Sequence, residues 1–390
     1  MTGGGSVFVS AGEVSGDHYV AVLHGLLRAE GFLGRIYGLC GEESEDAGVE
    51  ALWSNERLHI LGVSEVFGSL RGILSLMGEM YREVIEARPE VVVVVDSPDF
   101  HLPLIRRLRR NGYRGRIVYV SPPAVWAWRS SRSRDLAAHV DECLPLFKFE
   151  HDYLENAGCR SGWIGHPFVD EAADWKLPPE QVFGAISGPG AQRVVPERLV
   201  ALMPGSRGTE IDNLYGPLSA AYELLASRGW YPVFSIAPGL SPRARERLLA
   251  RLDAAGQLRY EGNGHDLMAA SSFVVGTSGT TTMQALLLQR YMIVLYKLGR
   301  LSGLVGRLLL RNRYFSVPNI LAGEMLFPEL IQGRATGSCA RAAVAEWLDA
   351  DDAFRGRRLE RLRALLPLLG RSGVYAFWAS RILEGISCAR

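Results

Sequence analysis

The sequence predicts an α/β protein built from two doubly wound parallel-sheet domains in tandem, and three observations carry that prediction. Short β-rich runs alternate with helical patterns through the first half of the chain. Val91 to Val95 is an unbroken valine run, the pattern of a strand buried on both faces. After an interval from Asp170 to Arg198, broken by Pro178-Pro179, Gly188-Pro-Gly190 and Pro196, the alternation restarts. That interval reads as a linker, and 390 residues suffice for two ordinary domains.

In the first domain Ser6 to Ser10 reads as a strand and about Asp17 to Glu30 as a helix. Between them, in Ala11-Gly-Glu-Val-Ser-Gly-Asp17, Gly12 and Gly16 let backbone approach a ligand, and Ser15 or Asp17 is placed to cap the helix. Capping leaves Glu13 unexplained. Ile60 to Val84 repeats apolar residues at helical intervals, for packing on its own sheet or for meeting lipid. The valine strand leads into Asp96-Ser-Pro-Asp-Phe100 and a helix over His101 to Arg110. A carboxylate there is either a helix-start residue, which suits Asp99, or a base at a strand end, which suits Asp96. Ile117 to Val120 is the next strand, and the turn after it carries Trp126, Trp128 and Arg129. Those tryptophans are either core or the wall of an acceptor pocket.

In the second domain Leu199 to Met203, Tyr231 to Ile236, Leu258 to Tyr260, Phe273 to Val275 and Tyr291 to Leu295 read as strands separated by helices. Helices close the chain at Cys339 to Leu348, Phe354 to Leu369 and Val374 to Leu383. Two turns stand out, Met203-Pro-Gly-Ser-Arg-Gly-Thr-Glu210 and Gly276-Thr-Ser-Gly-Thr-Thr-Thr282. Each follows a strand and opens a helix, so backbone N–H groups gather where the helix dipole favours an anion. Either Gly205 and Gly279 only make tight turns, or the pair forms a diphosphate site to which Arg207 adds a planar guanidinium fork. Ligands of doubly wound sheets bind beyond the carboxyl ends of strands, and every motif named here falls at such an end. The active site is therefore expected in the interdomain cleft.

Composition narrows the partners. Lysine and arginine number 43 against 42 acidic residues, so no global field recruits nucleic acid. Five scattered cysteines without a C-x-x-C pair fit a reducing compartment. The eight histidines lack zinc spacing, and Asp96 and Asp99 stand as D-x-x-D rather than D-x-D, so neither a metal nor another cofactor is expected. Met1 to Ser10 does not read as a secretory leader, which places the protein on the cytoplasmic side. The uncharged stretch Leu267 to Gln289 is too rich in Ser, Thr and Gly for a membrane span.

Taken together these segments resemble lipid-A-disaccharide synthase, a bacterial family of inverting glycosyltransferases with two Rossmann-like domains (GT-B). The landmarks run in order: Ala11 to Asp17, Asp96 to Phe100, Val120 to Arg129, Ile164-Gly-His-Pro167, Pro204-Gly-Ser-Arg207 with Glu210, Ser278-Gly-Thr280, Val317-Pro-Asn-Ile-Leu-Ala322 and Pro328-Glu-Leu-Ile-Gln332. The resemblance implies metal-independent transfer of 2,3-diacylglucosamine from its UDP donor to 2,3-diacylglucosamine 1-phosphate, giving a β-1,6 disaccharide and UDP. It implies Asp96 as the base and substrate binding by Glu13, Ser15, Gly16, Asp17, Asp99, Arg129, Gly205, Ser206, Arg207, Glu210, Ser278, Gly279, Thr280, Gln284, Asn319 and Gln332. Among these Glu13 would sit near the acceptor sugar and Arg207 on phosphate. The domains would be an acceptor domain over 1–170, a UDP-sugar donor domain over 171–365, and a C-terminal helix over 366–390 packing on the first domain or on a partner subunit of a homodimer.

The sequence departs from the family pattern at Gln284, where glutamate is usual, at Lys148 for proline and at His101 for asparagine. A glutamine facing a ribose diol offers one acceptor where a carboxylate offers two, a difference of ~1 to 2 kcal/mol in nucleotide binding. Leu298 to Phe315 mixes leucines with Arg300, Arg307, Arg311 and Arg313, which suits an anionic membrane surface and peripheral attachment to the inner face of the inner membrane. Two rivals remain open: another UDP-sugar enzyme of this architecture, such as a UDP-N-acetylglucosamine epimerase or muramyl-type transferase, and a non-catalytic lipid or nucleotide sensor.

Overall fold

The structure is a computed structural model that describes residues 5–58, 66–126, 129–175, 177–297 and 313–387. Trp128, the 60–65 start of the apolar helix, and Arg300, Arg307 and Arg311 of the membrane reading lie outside the described residues. The chain forms two compact units, Met1–Asp170 with Leu369–Arg390, and Glu171–Leu368.

In the first unit the elements are β1 (Ser6–Ala11), α1 (Val14–Ala29), β2 (Arg35–Cys40), α2 (Glu42–Asp46), β3 (Glu50–Ser54), α3 (Val66–Ala87), β4 (Val91–Val95), α4 (Pro98–Arg110), β5 (Arg116–Val120), α5 (Arg132–His139), β6 (Glu142–Leu144) and α6 (Lys148–Asn156), with the short α7 (Phe168–Glu171) at its boundary. The strands lie in the order β3-β2-β1-β4-β5-β6, all parallel. Every valine of β4 is at most 1% exposed, as a central strand covered on both faces requires. Leu76, Met77, Met80 and Val84 of α3 share a core with Val92 and Val94, so this part of the helix packs on its own sheet.

The second unit contains α8 (Pro179–Ala185), β7 (Ile186–Ser187), β8 (Leu199–Met203), α9 (Gly208–Ser227), β9 (Tyr231–Ile236), α10 (Pro242–Ala254), β10 (Leu258–Glu261), α11 (Gly264–Ala270), β11 (Phe273–Thr277), α12 (Thr280–Leu287), β12 (Tyr291–Tyr296), α13 (Val317–Ala322), β13 (Glu329–Ile331), α14 (Gly337–Asp349) and α15 (Asp352–Arg363). Its sheet runs β13-β12-β11-β8-β9-β10-β7, parallel except for β7. The interval expected as a linker therefore holds structure. Pro179 opens α8, where a missing N–H costs nothing, and Ile186 and Ser187 pair antiparallel with Tyr260 and Arg259 at the sheet edge. The last helix, α16 (Val374–Ser387), belongs to the first unit, where Tyr375 and Trp378 meet Tyr19 of α1 edge-on at 6.1 and 5.5 Å.

Both sheets wind outward from the middle, reverse, and wind outward on the other side. The reversals fall between β1 and β4 and between β8 and β11. Helical connections diverge at such a switch point and leave a crevice at the carboxyl ends of the two strands. Register pairs Ala11 with Val95 in one sheet and Gly276 with Met203 in the other. No helix among the described residues is long and apolar enough to cross a membrane.

Candidate active site

At the first switch point the exit of β1, Gly12-Glu13, lies against the exit of β4, Asp96-Ser97. Asp96 and Ser97 both take left-handed backbone angles, φ +44° and +42°, which cost an L-residue about 1–2 kcal/mol each. The turn is held by its main chain. The Asp96 carbonyl accepts from the Tyr119 hydroxyl at 2.6 Å and from His101 Nδ1 at 2.7 Å, and its N–H donates to the Val120 carbonyl. Because a carbonyl only accepts, His101 carries its proton on Nδ1, and Nε2 accepts from the Ser10 hydroxyl at 2.7 Å. Burial pushes the His101 ring down to about 4, so it stays neutral.

The nearby glycines have a steric reason. A Cβ on Gly12 would lie 2.1 Å from Ser97 Oγ, and one on Gly16 would lie 2.9 Å from Asp96 Oδ2. The Asp96 carboxylate thus rests over the first turn of α1, and Ser97 Oγ donates to its Oδ1 at 2.9 Å.

Helix α1 starts at Val14, three residues before the expected start, with Glu13 at its cap position and Ser15 exposed in the first turn. Asp17 does not cap its own helix. It is buried, and its two oxygens accept from Gly41 N at 2.6 Å and Glu43 N at 3.1 Å, which fixes the start of α2. Asp99 sits in the first turn of α4, where it accepts from Arg129 and Arg132. Trp126, half-buried, donates to Glu150 at 3.0 Å and packs edge-on against Phe149, so it ties the β5–α5 connection to α6.

At the second switch point the two glycine turns stand at the ends of neighbouring strands. Gly205 has φ +107°, and a Cβ there would lie 2.2 Å from Glu210 Oε2. The loop folds over Glu210, whose carboxylate accepts from Ser206 N at 3.2 Å. Arg207 occupies the cap position of α9 and is exposed. Gly279, φ +99°, caps α12, with Gly279 and Thr280 exposed, Ser278 half-exposed, and Gln284 half-buried one turn further on. The amino ends of two helices therefore open on one crevice, an arrangement that receives phosphate. The charges of Glu210 and Arg207 also act on the Tyr296 hydroxyl at the end of β12, whose pKa burial raises.

Asn319 lies inside the fold. It is fully buried; Nδ2 donates to the Phe327 carbonyl and to Glu329 Oε1, and Oδ1 accepts from Leu326 N and Phe327 N, each at 2.8 Å. All of its hydrogen-bonding capacity is used. Glu329 also accepts from Phe315 N, Ser316 N and the Ser316 hydroxyl, and Phe315 packs at 4.4 Å on Tyr296. Asn319 is thus linked to the surroundings of Arg207 through Glu329, Phe315 and Tyr296. Gln332 takes a left-handed turn, φ +53°, after β13.

Sequence reasoning passed over Tyr119, Ser10, Arg132 and Glu329. Tyr119 and Ser10 are hidden in apolar strands, and Glu329 opens a strand of only three residues, too short to show a pattern of its own. A cavity of about 690 Å³ lined by Arg88, Glu90, Tyr113 and Arg116 lies at the amino ends of β4 and β5, opposite the switch point. It is remote from these residues.

Burial sets a pH dependence of stability. His101 at about 4 and His166 at about 3 both lie below the 6.5 of an exposed imidazole, so the unfolded chain binds protons that the folded one refuses. Stability conferred by both is present above pH 6.5 and is lost as pH falls toward 4. Burial raises the Glu150 carboxyl to about 7, which acts in the opposite sense, losing stability as pH rises from 4.5 to 7. In a Glu150→Gln variant, which removes that opposing contribution, the urea midpoint should fall steadily from pH 6.5 to 4. A flat profile would show that neither imidazole is held neutral.

Residues 7–365 match the family model described as lipid-A-disaccharide synthetase. The chain is 33% identical over 382 residues to the lipid-A-disaccharide synthase of Anaeromyxobacter sp. (strain K), covering 97% of this chain and 96% of that one. It is 36% identical over 355 residues to that of Azotobacter vinelandii, covering 90% and 91%. Among solved structures, a putative UDP-N-acetylglucosamine 2-epimerase from Listeria monocytogenes superposes with a TM-score of 0.63 at 14% identity, covering 100% of this chain and 97% of that one. The calicheamicin glycosyltransferase CalG4 superposes at 0.57 and 14%, covering 99% of each. These structural likenesses establish the shared two-domain GT-B fold, and the epimerase reading gains nothing from them beyond it. The match along nearly the whole length, with Asp96 and Arg207 each at the switch point of its own sheet, shows that the chain belongs to the lipid-A-disaccharide synthase family of glycosyltransferases.

Proposed function

We propose that the protein joins a 2,3-diacylglucosamine unit from its UDP donor to 2,3-diacylglucosamine 1-phosphate, releasing UDP. The observation that carries this reading is the division of labour between switch points: a carboxylate over a helix start in one sheet, and two helix amino ends with an arginine in the other. Asp96 takes the proton of the acceptor 6-hydroxyl as that oxygen bonds to the anomeric carbon, from the face opposite the leaving group. The bond from that carbon to UDP breaks with its electron pair. Arg207 and the backbone N–H groups around Gly205 and Gly279 stabilise the charge on the departing diphosphate.

Incubation of the purified protein with the UDP-sugar and the monosaccharide phosphate, followed by mass spectrometry, tests the reaction. A disaccharide phosphate and UDP are expected with EDTA present throughout, because guanidinium and helix dipoles take the place of a metal. Epimerised UDP-sugar as the only product would overturn the reading.

Arg207→Ala should weaken UDP binding by about 10- to 100-fold in calorimetry, and Arg207→Lys should restore only part because the fork is lost. Unchanged UDP affinity would move the diphosphate site elsewhere. For the membrane, Arg300, Arg307, Arg311 and Arg313 supply attraction of about 1 kcal/mol per near-surface charge to anionic lipid. Sedimentation with anionic vesicles should fall as salt rises. Salt-insensitive binding would remove the arginines from that role.

A further inference from the structure

One buried hydroxyl at the second switch point has no partner. Thr277, the last residue of β11, is 4% exposed, and its hydroxyl makes no hydrogen bond among the described residues. A hydroxyl sealed from water and left unpaired costs stability, and a valine of the same shape would avoid that cost. Nearby hydroxyls are paired: that of Thr282 in α12 donates to the Gly279 carbonyl at 2.8 Å, and that of Ser271, shortly before β11, to the Leu267 carbonyl at 2.6 Å. Strand pairing places the exception. Gly276 pairs with Met203, so Thr277 lies level with the start of the Pro204-Gly-Ser-Arg207 turn, and it directly precedes the Ser278-Gly279 turn. Side chains alternate along β11, so Thr277 shares a face with Phe273, which meets Trp230 and Trp347 edge-on at 5.7 and 6.3 Å. That face is the one covered by α9 and α14, and α9 begins at this end of the sheet, behind Arg207.

We infer that the Thr277 hydroxyl donates to a diphosphate oxygen of the UDP donor, which rests on the function proposed above and its diphosphate between the two turns. A hydroxyl donating to a charged oxygen makes a stronger bond than a neutral pair does. The unpaired hydroxyl destabilises the empty site relative to the occupied one, so what it takes from the stability of the free protein it adds to affinity. To admit the phosphate oxygen the Ser278-Gly279 turn has to shift outward. It has room to do so, because a Cβ on Gly279 would meet nothing within 4 Å.

Thr277→Val exchanges the hydroxyl for a methyl group of similar size. In calorimetry UDP and inorganic pyrophosphate should both bind this variant about 10- to 100-fold more weakly than the intact protein, while the melting temperature of the ligand-free variant holds or rises. Thr277→Ser, which keeps the hydroxyl, should recover most of the affinity. Unchanged UDP affinity in Thr277→Val overturns the assignment, and if Arg207→Ala weakens UDP binding in the same series the diphosphate site stands without Thr277. A loss with UDP but not with pyrophosphate moves the contact to the nucleoside and overturns it too. A lower melting temperature, or a Thr277→Val chain that does not fold, shows that the hydroxyl is already paired in the free protein and has the same consequence. An intact protein that binds neither probe overturns the proposed function, and the role of Thr277 with it.

Discussion

Asp96→Asn should lower turnover by roughly 10²- to 10⁴-fold, the range expected when a general base is removed, and should leave the fold and UDP binding in place. The substitution is clean for a structural reason. The strained Asp96-Ser97 turn is held through main-chain groups, with Tyr119 and His101 donating to the Asp96 carbonyl and Val120 accepting from its N–H, and none of these bonds uses the carboxylate. The amide is nearly isosteric, and its oxygen still accepts from Ser97 Oγ. Initial rates and a denaturation curve on the same preparation check both halves, and a folded variant with near-normal turnover removes Asp96 from the chemistry.

Asn319→Ala should destabilise the second unit by about 3–5 kcal/mol, because it strips partners from Leu326 N, Phe327 N, the Phe327 carbonyl and the buried carboxylate of Glu329 at once. Activity should fall with it, since Glu329 also anchors Phe315, which packs on Tyr296 beside Arg207. Urea denaturation read from the second unit's tryptophans measures the effect. A variant as stable as the parent that loses only substrate affinity would show that Asn319 touches substrate directly.

Much of this was legible in the sequence, and the losses share a physical cause. Val91 to Val95 and Leu199 to Met203 announce themselves because a strand covered on both faces has no polar position to disguise it. The strands that escaped notice include β6 and β13, each three residues long and each beginning with a glutamate that is buried. Such an acid reads as surface until its partners are known. Those of Glu142 are Arg116 and Arg381, the second 239 residues away, and those of Glu329 are spread over Phe315 to Asn319. Asp17 misled in a related way, because an acid in a first turn suggests a cap for its own helix while its true donors, Gly41 and Glu43, come a strand later. Local pattern finds a residue with local partners; Asp96 and Arg207 were readable because a strand end and a helix start are themselves local signals.

The crossing from Asp170 to Glu171 and the return at Leu369 have a consequence for synthesis. Beside the crossing, His166 N donates to the Leu369 carbonyl, Arg371 N donates to the Ile164 carbonyl, and Gly165 and Gly370 form an antiparallel bridge. The second unit is therefore an insertion whose entry and exit are tied together, the topology in which an inserted domain disturbs its host least. On the ribosome the first unit is begun first and completed last. Until α16 emerges, the Glu142 carboxylate lacks Arg381, and Tyr19 lacks Tyr375 and Trp378. The nascent first unit waits with an uncovered apolar face and an underpaired acid while the inserted unit, which has a sheet and core of its own, is free to fold ahead of it.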